Sequence, residues 1–475
     1  MMAGLLTDLY EVRMAASYRQ RGMVGPATFS LFVRRLPAQR GFLVAAGLGD
    51  CLEFLRRLRF TAEELDYLAG IGAPDAALDA LRGIRFTGDV WAVPEGRVVF
   101  AGEPLLEVTA PIAEAQLVET VLLNAVTFQT AVASKAARCR LAAGRAELID
   151  FAFRRCQGID AAMAVARASA IAGFEATSNV EAARRYGLRP AGTMAHSYVE
   201  AFADEPAAFT AFARDFPTAT VFLVDTYDTL TGVAHAVQVA RDLAVTDRLA
   251  VRLDSGNLAE LATRTRHLLD RAGLISARIV ASGGLDEYAI ADLAARGAPI
   301  DSYGVGTRMG VSADAPYLDT AYKLVAFGDR LVMKLSAGKV NPPGPKQVYR
   351  GQIPGEDLIA LRDEPAPPGM TPLLVPVTLG GHRVTEPPDR HGPADDIPAA
   401  RRRCADDIDR LPAAARRIHG PEAPQPRPTP ALQLLAAQLQ AALMPQPTHP
   451  AASRATNHGR AASAERTTRV RLSSG

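Results

Sequence analysis

The sequence predicts an α/β fold built on a TIM-like α/β barrel, with an α+β domain before the barrel and helices after it. Two observations carry this prediction. Segments that read as strand, loop and helix repeat from residue 147 to residue 308, and such alternation favours a parallel sheet. Short strands separated by Pro and Gly turns lie between residues 91 and 109, and these favour an antiparallel sheet.

The central repeats, residues 249–308, end each strand in a loop of small residues. The predicted strands are 249–253, 278–280 and 299–302, the loops are DSGN at 254–257, ASGG at 281–284 and YGVGTR at 303–308, and helical patterns lie at 258–272 and 287–296. Parallel strands bring such loops to one edge of a sheet, where backbone N–H groups and helix N-termini bind phosphate. Any one glycine is explained equally well by a tight turn, but consecutive loops of this kind indicate a ligand with more than one phosphate.

Composition narrows the class of protein. The chain has 475 residues and a mass of 50.5 kDa, enough for two or three domains with sizeable cores. Its 53 basic and 51 acidic residues leave a formal net charge of +2, so we expect a small-molecule ligand and neither nucleic acid nor a membrane surface. Four cysteines without CxxC or metal-like spacing predict reduced thiols in a cytoplasmic protein. Neither a signal-peptide pattern nor about 18 uninterrupted apolar residues occurs, so secretion and membrane spanning are not expected.

Residues 1–125 are predicted to form the α+β domain. Its first helix is predicted over 5–21 with Thr7 as N-cap, and Tyr10 near the helix start either packs in the core or contacts a ligand. A strand at 28–34 leads into a turn that is either a solvated loop or a contact for a polyanion, because it carries Arg34, Arg35 and Arg40. The remaining elements of this domain are a helix at 49–69 and two short strands within 91–109.

Residues 126–319 are predicted to form the barrel, and a long helix at 114–143 leads into it. Before the central repeats we predict strands at 147–150 and 220–224, helices at 159–172, 180–186 and 198–215, and loops at 176–179 and 192–197. Together with the central repeats, these make six or seven βα units. A TIM-like barrel is the simplest architecture for such a series.

After the barrel, residues 320–390 are predicted to return to the first sheet and complete the α+β domain. The supporting elements are a hairpin within 322–336 and short strands at 346–350, 358–361 and 373–377. Residues 391–443 are predicted to be a C-terminal helical segment, with helices at 395–419 and 431–443. The tail, 444–475, has no aromatic residue and five arginines against one glutamate, so it is predicted to be disordered. A weak contact of these arginines with a polyanion is the alternative role.

Polar residues that point to chemistry lie just after predicted strands, where barrel enzymes carry their active sites. They are Arg154, Arg155, Asn179, His196, Ser197, Asp225, Asp254, Ser255, Gly283, Gly306, Thr307 and Arg308. On residue pattern alone, His196 is equally well a core histidine or a catalyst. HExxH and GxSxG are absent from the sequence, so the pattern indicates anion binding beside carboxylates and not a hydrolase.

Ten motifs follow one another along the chain. They are TDLYE (7–11), FVRRLPAQRGFLVAAGL (32–48), DFAFRRCQG (150–158), TSNV (177–180), GTMAHSYVEAF (192–202), LVDTYDT (223–229), VRLDSGN (251–257), ASGGLDEY (281–288), GVGTRM (304–309) and KVNPPGPKQVYR (339–350). Over residues 5–440 the sequence closely resembles the nicotinate phosphoribosyltransferase family. This resemblance implies that nicotinate and phosphoribosyl pyrophosphate react to give nicotinate mononucleotide and pyrophosphate in NAD salvage, with ATP hydrolysis as a co-reaction. It also implies an irregular α/β barrel joined to an open-faced sandwich, in a homodimer whose active site lies at the subunit interface.

The resemblance also implies roles for individual residues. ATP would phosphorylate His196, while Phe151 and Tyr10 of the neighbouring subunit would stack on the pyridine ring. Arg154 would meet pyrophosphate or the nicotinate carboxylate, and Arg252 and Asp254 would hold ring and ribose. The other predicted substrate-binding residues are Arg155, Ser178, Asn179, Ser197 and Ser255, together with Gly283, Gly284, Gly306 and Thr307 for the 5′-phosphate.

Elementary chemistry agrees with this assignment. Displacement at the anomeric carbon passes through an oxocarbenium-like state, so carboxylates beside the sugar and cations on the leaving pyrophosphate are required. Asp225 and Asp254 suit the first task, and arginines with Mg²⁺ suit the second, so we predict His196, Asp225, Asp254 and Arg154 as the catalytic residues. A pyridine nitrogen is a free nucleophile near neutral pH, so no general base is needed. No protein ligand of a metal is assigned.

One position departs from the family pattern. Asn257 stands where we expect an acidic residue, which lowers the charge of that loop, although its amide can cap the following helix. Two alternatives to the nicotinate enzyme are a phosphoribosyltransferase for nicotinamide, whose pocket would recognise a neutral amide, and a catalytically silent barrel that serves as a scaffold.

Overall fold

The computed structural model describes residues 3–218, 220–336, 341–384 and 396–444. Within these ranges the α-helices are α1 Leu9–Gln20, α2 Leu48–Arg57, α3 Ala62–Gly70, α4 Asp75–Leu81, α5 Ile112–Leu117, α6 Glu119–Ala143, α7 Ile159–Ile171, α8 Val180–Tyr186, α9 His196–Glu200, α10 Glu205–Asp215, α11 Thr229–Asp242, α12 Leu258–Arg271, α13 Glu287–Ala295, α14 Thr307–Gly310, α15 Ile397–Arg410, α16 Ala413–Arg416 and α17 Pro430–Leu443. The predicted disordered tail lies outside the described residues from position 445 onward, as do residues 339 and 340 of the last motif.

The strands of the described ranges form four sheets. They are β1 Pro26–Val33, β2 Leu43–Val44, β3 Asp89–Ala92, β4 Val98–Val99, β5 Pro104–Pro111, β6 Glu147–Asp150, β7 Ala176–Thr177, β8 Arg189–Pro190, β9 Val221–Leu223, β10 Ala250–Leu253, β11 Arg278–Ala281, β12 Ser302–Val305, β13 Thr320–Phe327, β14 Arg330–Leu331, β15 Lys346–Arg350, β16 Asp357–Leu361, β17 Thr371–Pro372, β18 Val375–Leu379, β19 His382–Arg383 and β20 Arg427–Pro428.

The parallel sheet has seven strands in the order β8-β7-β6-β12-β11-β10-β9. The chain runs outward from β6 to β8, then crosses to β9 and returns strand by strand until β12 pairs with β6, where Tyr303 lies opposite Leu148. The strand interiors are apolar and buried, and the largest apolar core joins this sheet to α6, α7 and α11 to α13. The prediction of a mixed α/β fold with a parallel sheet of repeated βα units is therefore confirmed.

The second large sheet is antiparallel, in the order β14-β13-β1-β5-β3-β18-β19. β13 pairs with β1 and β18 pairs with β3, so strands that precede the parallel sheet in sequence and strands that follow it share one antiparallel sheet. The prediction that every later strand returns to this sheet is wrong for β15 and β16, which pair with each other in a separate sheet with β17 and β20. Residue pattern marks a strand but not its partner, which side-chain packing and turn geometry select. The predicted domain limits stay predictions.

Several predicted helices are shorter than their apolar patterns. Helix α1 starts at residue 9 with Asp8 at its N-cap and not Thr7, whose hydroxyl binds the Glu11 carboxylate instead. The helix predicted at 49–69 is two, because Thr61 and Glu64 form a capping box that starts α3. The predicted helices at 114–143, 198–215 and 395–419 are likewise each broken in two.

Other elements differ in position or number. Three strands, and not two, lie within 89–111, and the loops predicted at 176–179 and 192–197 hold β7 and the start of α9. The strand predicted at 299–302 lies at 302–305, because backbone pairing with β6 begins at residue 302. Residues 303–305, which were predicted to lie in a loop, therefore belong to β12.

The basic turn after β1 is partly buried. Arg40 is 1% exposed and pairs with Asp314, so for Arg40 both the solvated loop and the polyanion contact are wrong. Arg34 and Arg35 pair with Asp319 nearer the surface. All four cysteines are free thiols, as predicted. In the described part of the chain, no helix has both the length and the apolar character that crossing a bilayer requires.

Candidate active site

The carboxyl ends of five neighbouring parallel strands bring most of the predicted site residues to one edge of the sheet. The loops that follow β6, β9, β10, β11 and β12 hold Phe151, Asp225, Asp254, Gly283 and Gly306. Open parallel sheets and barrels bind their ligands at this edge. The structure therefore places residues from separate motifs around one position.

Arg252 connects these loops through its guanidinium group. Nη2 donates to Asp254 Oδ1 over 2.7 Å, Nε to Ser282 Oγ over 2.7 Å, and Nη1 to Thr193 Oγ1 over 3.0 Å. The guanidinium carbon lies 5.3 Å from the centre of the Phe151 ring, within cation–π range. One cation thus fixes a carboxylate, two hydroxyl groups and an aromatic ring relative to one another.

Asp254 is held in its ionised form by its neighbours. Partial burial alone would raise its pKa, but hydrogen bonds from Ser282 and Arg252 and the charge of Arg252 together lower the pKa. Asp254 is therefore a carboxylate at neutral pH. It can stabilise positive charge that develops on a bound substrate.

Asp225 is joined to the Asp254 loop through one of its two oxygens. Oδ2 accepts from the backbone N–H of Asp254 over 3.0 Å and from Ser255 Oγ over 2.5 Å. Oδ1 is buried, and none of the described residues donates a hydrogen bond to it. Because an unpaired buried polar atom costs about 1–3 kcal/mol, Oδ1 is suited to a partner supplied by a ligand, a water molecule or a cation.

In the part of the chain that the structure describes, side chains alone do not form a complete metal site. In the described ranges, no group of three or more His, Cys, Asp or Glu side chains is arranged to hold a metal ion. Mg²⁺, however, commonly takes only one or two carboxylates and completes its shell with water and substrate phosphate. Asp225 Oδ1 and the Asp254 carboxylate fit that smaller requirement.

His196 is the first residue of α9, and its half-buried ring reaches the loop after β9. Nδ1 lies 3.2 Å from Thr226 Oγ1. When Nδ1–H donates to this hydroxyl, Nε2 keeps a free lone pair. The contact therefore orients the imidazole and leaves one nitrogen available for chemistry.

Two glycines after β11 have left-handed backbone conformations. Gly283 has a φ of +92°, and a Cβ there would lie 2.0 Å from the carbonyl oxygen of Asp254, so only glycine lets these two loops touch. Gly284 has a φ of +64° with no heavy atom within 4 Å of the same position. On β12, a Cβ on Gly304 would lie 2.5 Å from the Phe151 ring. Small residues thus allow three loops to approach closely.

Asp150, the last residue of β6, supports the turn that carries Phe151. Its carboxylate accepts from Thr177 Oγ1 over 2.7 Å and from the N–H of Ala152 over 2.9 Å. Its carbonyl accepts from the N–H of Ser178 over 2.8 Å. Burial raises the pKa of Asp150 to about 6. Asp150 therefore joins the Phe151 turn to the loop after β7.

The remaining predicted binding residues differ in burial, and one of them caps a helix. Asn179 is fully buried, and its Oδ1 caps α8 by accepting from the N–H of Ala182 over 3.1 Å, so this amide serves the helix. Arg154 and Arg155 lie in the short 3₁₀ helix Phe153–Arg155 and are exposed beside the site. Ser197, Ser255 and Thr307 are also exposed, and Ser178 is half-buried.

Tyr10 lies in a groove and not in the core. Its side chain is 48% exposed. The groove has a volume of about 1260 Å³ and is lined by Tyr10, Asp50, Glu119, Gln157, Asp160 and Tyr317 among others, without His196, Arg252 or Asp254. Within one chain, Tyr10 is therefore separate from the Arg252 cluster.

Sequence reasoning missed four residues that orient the predicted ones. Ser282 and Thr193 bind Arg252, Thr226 binds His196, and Asp150 supports the Phe151 turn. Each lies within one or a few positions of a predicted residue at a strand end. That position was the available signal, but hydroxyl residues are so common in loops that it does not single them out.

Comparisons with known proteins identify relatives of this chain. The sequence model described as the nicotinate phosphoribosyltransferase (NAPRTase) N-terminal domain matches residues 5–127, and that of the nicotinate phosphoribosyltransferase (NAPRTase) family matches residues 146–327. Nicotinate phosphoribosyltransferase pncB2 of Mycobacterium tuberculosis is 50% identical over 422 residues, which cover 88% of this chain and 89% of that protein. Nicotinate phosphoribosyltransferase of Bacillus subtilis is 43% identical over 377 residues, 76% of each chain.

A solved structure shows the same fold. The crystal structure of human nicotinic acid phosphoribosyltransferase superposes with a TM-score of 0.80 at 31% identity, over 92% of this chain and 100% of that one. Both catalytic and N-terminal regions thus match in sequence, and the fold matches over nearly the whole length. This chain belongs to the nicotinate phosphoribosyltransferase family.

Proposed function

We propose that this protein is a cytoplasmic enzyme that transfers the phosphoribosyl group of phosphoribosyl pyrophosphate to nicotinate, giving nicotinate mononucleotide and pyrophosphate in NAD biosynthesis. Family membership and relatives named for this activity support the proposal. The observation that carries it is the Arg252 cluster, in which one guanidinium orients Asp254 and lies over the Phe151 ring at the carboxyl edge of the sheet.

The transfer needs charge stabilisation more than proton transfer. The pyridine nitrogen attacks C1 of the ribose, the bond from C1 to the pyrophosphate oxygen breaks, and the bonding electrons leave with pyrophosphate. Positive charge builds on the sugar, which the carboxylates of Asp225 and Asp254 stabilise. Arg154 and Arg155, exposed beside the site, offset the charge of pyrophosphate. The attacking nitrogen carries no proton, so no general base takes part.

Recognition of nicotinate over nicotinamide follows from Arg252. Three of the five N–H donors of its guanidinium group bind Asp254, Ser282 and Thr193. Two donors are left for a ligand, and a carboxylate accepts two parallel N–H groups better than a neutral amide does. With the pyridine ring on Phe151, the nicotinate carboxylate is the expected partner of Arg252.

The 5′-phosphate binds to the two glycine-rich loops in this proposal. Gly283 and Gly284 precede α13, and Gly306 and Thr307 begin α14. Exposed left-handed glycines let backbone N–H groups turn toward one anion.

For the fold as a whole, we propose that the parallel sheet curves into an irregular barrel, with β8 and β9 at its open side.

Asp225 and Asp254 are the residues that would hold Mg²⁺, together with substrate oxygens. The unpaired, buried Asp225 Oδ1 supports this assignment. When bound, Mg²⁺ supplies positive charge that offsets the developing charge on pyrophosphate. Asp254, kept ionised by Arg252 and Ser282, retains its negative charge for this purpose at neutral pH.

ATP coupling is assigned to His196. Nε2 attacks the γ-phosphorus of ATP, the bond to the bridging oxygen breaks and ADP leaves; water later cleaves the phosphorus–nitrogen bond and releases phosphate. The hydrogen bond between Nδ1 and Thr226 supports this role by orienting the ring. A phosphorylated His196 adds negative charge near Asp225 and Asp254, which changes how the site binds cationic and anionic groups.

We propose a homodimer in which Tyr10 of the partner subunit completes the site. Tyr10, Leu6 and Leu9 are 48%, 40% and 45% exposed at one end of α1, an apolar surface that a second copy would cover. Tyr10 is also separate from the Arg252 cluster of its own chain. A contribution from the partner subunit accounts for both observations.

Substrate choice tests the proposed function. Purified protein is incubated with phosphoribosyl pyrophosphate, Mg²⁺ and equal amounts of labelled nicotinate and nicotinamide, and both mononucleotides are quantified by chromatography. We expect nicotinate mononucleotide to dominate. A preference for nicotinamide would replace the proposal by the amide-using reaction, and no product from either base would leave the scaffold alternative.

A further inference from the structure

Lys135, in the middle of α6, is a buried cation that contacts one carboxylate in each of the segments that follow the two proposed phosphate loops. Its side chain is 1% exposed, and Nζ lies 2.6 Å from Glu287 Oε2 and 2.8 Å from Asp314 Oδ1. Glu287 is the first residue of α13, three positions after Gly284. Asp314 follows α14, which begins at Thr307. One ammonium group therefore connects the segments behind the two loops.

Two arginines hold the same carboxylates from the other side. Arg138 Nε donates to Glu287 Oε1 over 3.0 Å, and Arg40 donates to both oxygens of Asp314, over 2.8 and 3.0 Å. Arg40 Nη2 also donates to the hydroxyl of Ser312, whose φ of +45° is left-handed. A non-glycine residue keeps such a conformation only where its surroundings fix it. The turn after α14 is thus held from α6 and from the basic turn after β1.

The charges of this cluster make Lys135 separable from the rest. Burial alone would lower the pKa of Lys135, but the two carboxylates that face it raise the pKa, so it stays charged. Burial alone would raise the pKa of Asp314, but Arg40 and Lys135 lower it. Three cations thus face two carboxylates. Without Lys135, Arg40 still pairs with Asp314 and Arg138 still pairs with Glu287, so no buried charge is left without a partner of opposite charge.

We propose that Lys135 is a positioning residue for phosphoribosyl pyrophosphate, which fixes the Gly283–Gly284 loop relative to the Gly306–Thr307 loop so that both bind the same 5′-phosphate. This inference rests on the proposed function, which assigns that phosphate to these loops. Lys135 is buried and acts through Glu287 and Asp314. Because binding groups must be held within about 0.5 Å of their productive geometry, loss of the link lowers affinity for the phosphoribosyl donor more than affinity for nicotinate.

The test compares K135M with wild type in three steady-state parameters: KM for phosphoribosyl pyrophosphate, KM for nicotinate, and kcat. We expect the first KM to rise roughly tenfold or more, with the other two within about threefold. K135Q returns a hydrogen-bond donor to Glu287, so its KM for phosphoribosyl pyrophosphate is expected to lie between those of wild type and K135M. Calorimetric titration with phosphoribosyl pyrophosphate measures the same loss without catalysis.

R140M is the matched control. Arg140 lies on the same helix and pairs with the partly exposed Glu175 over 3.0 Å, away from both loops. This variant should lose some thermal stability and keep the wild-type KM for phosphoribosyl pyrophosphate. Equal KM changes for both substrates in K135M, or the same change in R140M, would overturn the inference. If K135M does not fold, K135Q carries the comparison, and a wild-type KM in K135Q would overturn it as well.

The outcomes separate this inference from the proposed function. If wild type makes nicotinate mononucleotide and K135M has the wild-type KM for phosphoribosyl pyrophosphate, only the role of Lys135 is wrong. If wild type neither makes product nor binds phosphoribosyl pyrophosphate in the calorimeter, the proposed function is wrong and the role of Lys135 falls with it.

Discussion

Arg252 Nη2 lies 2.7 Å from Asp254 Oδ1, and this ion pair is set between two residues only two positions apart at the end of β10. Residues two apart on a strand point to the same face, so the sequence places cation and carboxylate side by side. Ser282 binds both partners, since its hydroxyl donates to Asp254 and accepts from Arg252. The pair is therefore oriented before any substrate binds.

Substitution of Arg252 tests this orientation. R252M removes the cation beside Phe151 and three hydrogen bonds, so kcat/KM for nicotinate should fall by about 100-fold or more. R252K keeps the charge but lacks the planar fork, and should recover only part of the loss. R248M, which removes an exposed arginine paired with its neighbour Asp247, is the control and should match wild type. A kcat/KM for R252M close to wild type would contradict the account.

Gly283 and Gly284 form a matched pair for the loop geometry. In G284A the new methyl group meets no atom within 4 Å, so only left-handed strain remains, and the free energy of unfolding should fall by about 1–2 kcal/mol. In G283A the methyl group would also lie 2.0 Å from the Asp254 carbonyl, so the loss should be clearly larger. Denaturant unfolding of the two variants measures the difference. Equal losses would show that the loops do not touch as described.

Mixed dimers test whether Tyr10 acts across the subunit interface. Y10A should raise the KM for nicotinate because a stacking surface is lost, and D254N should be nearly inactive. In a heterodimer of the two variants, one site receives Tyr10 from the D254N chain and keeps its own Asp254. Differently tagged chains, co-expressed and purified as heterodimers, should therefore show about half of the wild-type kcat/KM for nicotinate, since one of two symmetric sites is intact. A heterodimer whose kcat/KM for nicotinate is no higher than that of Y10A would place Tyr10 outside the shared site.

Asp150 should make stability depend on pH. Burial raises its pKa to about 6 from an ordinary 3.8, so the folded protein holds this proton where the unfolded chain has released it. The resulting stabilisation is fully present below about pH 4 and is lost as the pH rises through about 6. D150N lacks this titration, so the stability of wild type relative to D150N should fall by about 2 kcal/mol between pH 4 and pH 7. Denaturant unfolding across this range measures it, and parallel curves would contradict the raised pKa.

Much of the parallel sheet could be predicted because its signals are local. β6, β10 and α12 lie within a residue or two of their predicted limits, since apolar runs end at Gly, Asn or Asp. The breaks within long helices were missed because apolar spacing continues across them, even where a capping box such as Thr61 with Glu64 is present. Strand partners were also beyond reach, as the separate sheet of β15 and β16 shows.

The residues of the candidate site likewise include some that local sequence signals predict and some that they do not. His196, Asp225 and Asp254 could be named because they follow predicted strands and lie in family motifs. Asn179 is predicted to bind substrate, but its place before α8 is equally an N-cap signal, and the structure shows it capping that helix. The contacts of Lys135 and of Arg40 with Asp314 join positions 179 and 274 residues apart, and no local pattern contains such pairs.

The coupling of ATP hydrolysis to phosphoribosyl transfer is the most direct test of the account as a whole. Nicotinate mononucleotide and ADP are measured in the same reaction, with and without ATP, for wild type, for H196A and for H267A, which changes an exposed histidine on α12. We expect wild type and H267A to release ADP with product and to accelerate when ATP is present. H196A should form product slowly, at a rate that ATP does not change, and release no ADP above background. ATP-dependent turnover in H196A equal to that of wild type would contradict the assignment of His196 as the phosphorylated residue.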